Sequence, residues 1–182
     1  SDVCSSDLMV AVIYQKAPYA IFSLRSGANV TKLDQLENLE IASGAGSFTQ
    51  KVIEAFMKSK GLKAGTVKYT NIDPAARVGM LVAKKVPAIE TFAMSMPGVV
   101  KAAGAQDAQV FLLANAGLSL YSNGILVRED YLKDNAAQVK GFVKASLLGW
   151  KDTLANPKEA ADIVVKHVKG LDPEVVLQEI VI

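Results

Sequence analysis

The chain has 182 residues, half of them apolar and about a fifth charged, a composition that fits one ordinary folded domain or one and a half small ones. Its 20 Lys and Arg against 18 Asp and Glu leave a net charge of +2, too even a balance for a nucleic-acid surface. One cysteine, Cys4, and one histidine, His167, exclude an internal disulfide and a clustered metal site, and no apolar run reaches the roughly 18 residues that a bilayer span needs.

Residues 1–8, Ser-Asp-Val-Cys-Ser-Ser-Asp-Leu, lack the periodicity of the rest of the chain and read as a non-native, adapter-like scar, set aside in reading the fold. Setting them aside removes Cys4, and the native chain is expected to extend upstream. Val10 to Leu24 gives two β-rich runs split by Pro18, apolar enough for strands covered on both faces. Gly27 and Asn29 mark a turn, Thr31 to Leu36 a short helix, and Glu40 to Ser43 a strand. An amphipathic helix comes next, with Val52, Ile53, Phe56 and Met57 on one face and Gly61 as its C-terminal stop. Val67 to Asn71 is a strand. Asp73-Pro74, an N-cap and first-turn proline, opens a helix to about Ala83. Val86 to Glu90 is a strand, Ser95-Met96-Pro97-Gly98 begins a helix to about Ala103, and Gln109 to Ala114 and Ser122 to Val127 are strands. Strands alternating with helices across short connections predict an α/β fold with a parallel-dominated sheet.

Beyond Val127 the pattern turns helical over 129–155, 157–169 and 173–182, with Asn156-Pro157 and Asp172-Pro173 repeating the capped start. The chain stops inside a helical pattern. Val139, Phe142, Val143, Leu147, Trp150 and Leu154 form one stripe, read as core that needs a second body to cover it. His167 reads as a cation near a helix C-terminus, where the dipole favours it.

The most informative stretch is Ser43-Gly44-Ala45-Gly46-Ser47-Phe48-Thr49, at the carboxyl end of a strand and the start of a helix. Open α/β sheets bind ligands beyond the strand ends. Glycines let backbone approach closely, free N–H groups and the helix dipole favour an anion, and Ser47 and Thr49 offer hydroxyls. The loop lacks the lysine of a phosphate-binding loop and the dinucleotide spacing, so no cofactor is implied. Glu90 and Thr91 follow their strand in the same way, Tyr121 and Asn123 flank the start of the last one, and Tyr19 lies in the first segment. These complete the candidate ligand set; no catalytic or metal-binding set is assigned. Arg77, on the helix after Asp73-Pro74, is a candidate counter-ion, with a solvated helix arginine as the favoured reading.

The run from Val12 to Leu24, Leu36 to Ser43 with the loop after it, Asn71-Ile72-Asp73-Pro74, Pro87-Ala88-Ile89-Glu90 and Asn156-Pro157-Lys158-Glu159-Ala160 resemble the periplasmic sulfonate, nitrate, taurine and thiamine-pyrimidine binding proteins. The likeness runs over residues 9–182. It implies a periplasmic-binding-protein type II-like fold: two α/β lobes joined by crossover strands, with lobe one incomplete here. By it, residues 9–26 hold the crossover and the end of lobe one, 27–115 form lobe two, 116–128 cross back, and helices 129–182 pack on lobe one. It implies a periplasmic receptor of an ABC importer, monomeric at full length. Such a receptor captures a small anionic, heterocyclic or aromatic solute in the cleft between lobes and delivers it to a membrane permease driven by an ATPase. The same superfamily resembles a pyrimidine-precursor enzyme that consumes an internal histidine; the single His167, on a C-terminal helix, weighs against that alternative. Members often carry Gly-x-Val-Asp-Ala where this chain has Lys84-Lys85-Val86-Pro87-Ala88, so a ligand contact there is not expected.

Overall fold

The computed structural model describes residues 7–182, so Cys4 and most of the expected scar lie outside the described residues. Asp7 and Leu8 do take part in the fold, opening a strand opposite Arg128 and Val127. In chain order the strands are β1 Asp7–Val12, β2 Tyr19–Leu24, β3 Glu40–Ser43, β4 Lys68–Asn71, β5 Ala88–Phe92, β6 Ala108–Leu112 and β7 Gly124–Arg128. The α-helices are α1 Phe48–Ser59, α2 Arg77–Val82, α3 Met96–Ala103, α4 Glu129–Ala155, α5 Pro157–His167 and α6 Pro173–Val181. They fall into two compact units: Pro18–Ser119, and the segment ending at Ala17 together with Leu120–Ile182.

The Pro18–Ser119 unit is built on a five-stranded sheet in the order β4-β3-β5-β2-β6. Its β3 pairs in parallel with β4 and β5, whereas β2 runs antiparallel to both β5 and β6. The expectation of a parallel-dominated sheet is therefore corrected to a mixed one, because one strand runs against the other four. That strand is Tyr19–Leu24, expected from the sequence to belong with residues 9–26. All six of its residues are buried, as its unbroken apolar run implies.

Side chains alternate across a strand, so each face collects every second residue. Ala20, Phe22 and Leu24 of β2, Ala42 of β3 and Ile89 of β5 share a core with Leu81, Val86, Val99 and Ala108, on the face that α2 and α3 cover. The opposite face receives Ile21, Ser23, Ile41, Ser43, Ala88 and Glu90 by the same alternation. Ser23 is fully buried there and its Oγ accepts the Val30 amide at 2.9 Å. Helix α1 buries Val52, Ile53, Phe56 and Met57, the stripe its spacing predicts.

In the other unit β1 and β7 pair antiparallel, beside α4, α5 and α6. Helix α4 is interrupted at Asn135, whose φ of −130° and ψ of 31° leave the helical region. Asp172 caps α6, its Oδ1 accepting the amides of Glu174 and Val175 at 3.1 Å each. Of the α4 stripe, Phe142, Leu147, Trp150 and Leu154 are exposed. Trp150 still meets Tyr14 edge-to-face at 6.4 Å. His167 is exposed at the last position of α5. Among the described residues no helix is long and apolar enough to cross a membrane, and no His, Cys, Asp or Glu group could hold a metal.

Candidate functional site: the loop before helix α1

Ser43 ends β3, and four residues later Ser47 caps α1, with its Oγ accepting the Thr49 amide at 3.3 Å. Between them the chain turns tightly. The Gly44 carbonyl accepts the Ser47 amide at 3.0 Å and Gln50 Nε2 at 3.3 Å. Gly46 takes φ +69°, a left-handed conformation that favours glycine, and nothing lies within 4 Å of where a side chain would stand. Ala45 and Gly46 are exposed, and their amides have no hydrogen-bond acceptor among the described residues. The Phe48 ring is 67% exposed at the first helical position. The loop thus offers free N–H donors at the positive end of a helix, beside a bare aromatic face.

A buried charge pair lies against this loop. Glu90 is only 3% exposed; its Oε1 accepts Ser43 Oγ at 2.7 Å and Ser47 Oγ at 3.1 Å. Arg77 Nη1 stands 3.4 Å from the same oxygen and donates to the Glu90 carbonyl at 2.7 Å. A side chain on Gly44 would come 2.7 Å from Arg77 Nη2, so the absence of one at Gly44 is what admits the guanidinium. A buried charge must be paired and hydrogen-bonded, and Glu90 has both. Nearby Tyr69 is pushed above the ordinary phenol range, first by burial and then by the charges of Glu54 and Glu90.

The predicted residues divide accordingly. Ser43, Gly44, Ala45, Gly46, Ser47, Phe48 and Glu90 come together. Thr49 belongs to the loop but is buried. Ser47 is not a free donor, because its hydroxyl is engaged by Glu90 and Thr49. Glu90 and Thr91 lie within β5 rather than after it, and alternation sends Thr91 to the other face, where its Oγ1 is 3.2 Å from Ser95 Oγ. Tyr19 is buried against Phe92, with ring centroids 5.7 Å apart. Tyr121 and Asn123 are exposed residues of the other unit, and the Asn123 carbonyl accepts the Ile13 amide at 2.9 Å. Arg77 is the clear correction: it is no solvated helix arginine, its side chain being 12% exposed. The signal was present in the sequence. An acid inside the apolar run Val86-Pro87-Ala88-Ile89-Glu90 needs a partner, and of the arginines at 25, 77 and 128 it is Arg77 that lies nearest to it in the chain.

The mixed sheet with β2 reversed, and the glycine loop leading into a helix at the end of β3, belong to a fold shared with solved periplasmic solute-binding proteins. The chain belongs to the NMT1/THI5-like family, whose model matches residues 8–160. It is 30% identical over 161 residues to the riboflavin-binding protein RibY of Chloroflexus aurantiacus, covering 87% of this chain and 44% of RibY. Among solved structures it is similar to the periplasmic aliphatic sulphonate binding protein SsuA of Escherichia coli, with a TM-score of 0.75 at 15% identity over 96% of this chain and 58% of that one. It also resembles the alkanesulfonate-binding SsuA of Xanthomonas axonopodis pv. citri, with a TM-score of 0.71 at 16% identity over 97% of this chain and 59% of that one. The chain therefore spans about half the length of these proteins. All three are named as binding proteins.

Proposed function

We propose that this chain is part of the substrate-binding protein of a bacterial ABC importer, acting outside the cytoplasmic membrane and handing its solute to a permease coupled to an ATPase. The solute is a small molecule with hydrogen-bond acceptors and a flat ring or an anionic group. It is held by the loop before α1 and is not chemically changed. One observation carries this reading: two exposed amide donors, Ala45 and Gly46, stand unsatisfied at a helix N-terminus next to the bare ring of Phe48. A relative named for binding riboflavin and neighbours named for binding sulfonates support the same kind of ligand.

The test is a thermal-shift screen of the full-length protein against riboflavin, pyrimidines and alkanesulfonates. A true ligand at about a hundredfold excess over its Kd adds about 2.7 kcal/mol and raises Tm by several degrees. Phe48→Ala is expected to weaken the hit about threefold to tenfold, the range of one aromatic contact, without lowering the Tm of the free protein. Absence of any stabilising solute, or turnover of a pyrimidine precursor, would overturn the reading.

A further inference from the structure

Asparagine precedes glycine once in the chain, at Asn123-Gly124. The glycine is required by the fold. A side chain there would come 2.7 Å from the Ala11 carbonyl and 3.2 Å from Met9 Sδ, so β1 and β7 can meet at this end only if residue 124 has none. Asn123 itself is exposed, and Ser122 Oγ donates to its Oδ1 at 3.4 Å. Its main-chain carbonyl accepts the amides of Ile13 at 2.9 Å and Tyr14 at 3.2 Å, while the Ser122 amide donates to the Tyr14 carbonyl at 3.0 Å. Asn123 therefore ties the segment after β1 to the segment before β7.

We propose that Asn123 is a self-modification site, whose side-chain amide is converted to a carboxylate by the backbone of Gly124. The Gly124 nitrogen, deprotonated by hydroxide, attacks Asn123 Cγ and closes a five-membered imide. The side-chain amide nitrogen takes back a proton from solvent and leaves as ammonia. Water then opens the ring at either carbonyl. One opening gives aspartate; the other gives isoaspartate, in which the main chain runs through the former side chain and is one methylene longer. The balance is one water consumed and one ammonia released, with no oxidant or reductant. With no side chain at residue 124, the attacking nitrogen is unhindered and the backbone is free to reach the ring geometry. The Ser122 hydroxyl stands where it can stabilise the charge that gathers on Oδ1 during attack. Either product lowers the net charge of +2 by one. The isoaspartyl form also moves the carbonyl that holds Ile13 and Tyr14 out of the main chain, into a free carboxylate, and so loosens the tie between β1 and β7. None of this involves the loop before α1 or its solute.

Ageing of the whole chain at neutral to alkaline pH tests this, read by peptide mass spectrometry and by enzymatic methylation of isoaspartate. The peptide holding Asn123 is expected to deamidate about tenfold faster than those holding Asn29, Asn38 or Asn115, each followed by a residue with a side chain, at a rate that climbs with hydroxide. Both products should form. Asn123→Gln should abolish the event, because closure would then need a six-membered ring. In the aged protein the Ile13 and Tyr14 amides should exchange hydrogen about tenfold faster than in the fresh one, a change that aged Asn123→Gln does not show. An Asn123 that deamidates no faster than the other three would overturn the proposal. So would aspartate as the sole product, or aged protein whose Ile13 and Tyr14 amides exchange as before. The comparison among asparagines uses the unaltered chain, so it decides the matter even where Asn123→Gln does not fold.

Discussion

Replacing Arg77 with methionine isolates the buried pair. The change keeps an apolar stem on α2 but removes the cation 3.4 Å from Glu90 Oε1 and the donor bonded at 2.7 Å to the Glu90 carbonyl. The carboxylate, 3% exposed, is then left with the hydroxyls of Ser43 and Ser47 alone. Removing one partner of a buried ion pair costs about 3–5 kcal/mol, because the other charge stays behind. Two remaining donors to an ionised acceptor hold the loss to the lower end, about 3 kcal/mol. Arg77→Met with Glu90→Gln removes the stranded charge and should recover about half of that. With a urea slope of about 2 kcal/mol per molar, the midpoint falls by about 1.5 M in the single variant and about half as much in the double. The assay is urea unfolding read by hydrogen exchange at β2 and β5 amides, since Trp150 fluorescence reports the other unit. A single variant within about 0.5 kcal/mol of wild type, or a double variant no better than the single, would refute the reasoning.

Gly44→Ala places a methyl group 2.7 Å from Arg77 Nη2 and should cost about 1–3 kcal/mol by overpacking, with little loss in an Arg77→Met background, as chemical denaturation of the four proteins will show. Ser23→Ala strands the Val30 amide in the interior and is expected to cost about 1–3 kcal/mol, measured in the same way. Tyr69 should ionise only above the ordinary phenol range in an ultraviolet titration of the folded chain, a late step that Tyr69→Phe removes. Its folded pKa lies above the unfolded one, so the unfolded chain loses the proton first. The stability it contributes is complete below pH about 10 and declines above it, a slope that Tyr69→Phe should remove.

Much of this was legible from periodicity. The apolar run from Tyr19 to Leu24 does become a strand buried on both faces, and the Val52–Met57 spacing does become the buried face of α1. Strand direction was not legible, because residues 19–24 read alike whether β2 runs with β5 or against it; pairing decides that, and it is set by contacts far apart in the chain. At the site, the glycine loop announced itself through Gly44 and Gly46. The role of Gly44 did not, since it depends on the arrival of Arg77 from a helix more than thirty residues later. Treating Arg77 as solvated assumed that a helix arginine faces water. The acid in the apolar strand was the better guide, because a buried carboxylate has to find its cation.

The central claim is that the amides before α1 hold the solute. Nitrogen-edited NMR of the labelled chain, titrated with the best hit of the thermal screen, tests it most directly. The Ala45 and Gly46 cross-peaks are expected to move first and furthest, with Phe48 next as its ring is covered. A ligand that binds to saturation while Ala45 and Gly46 stay in place would contradict the claim.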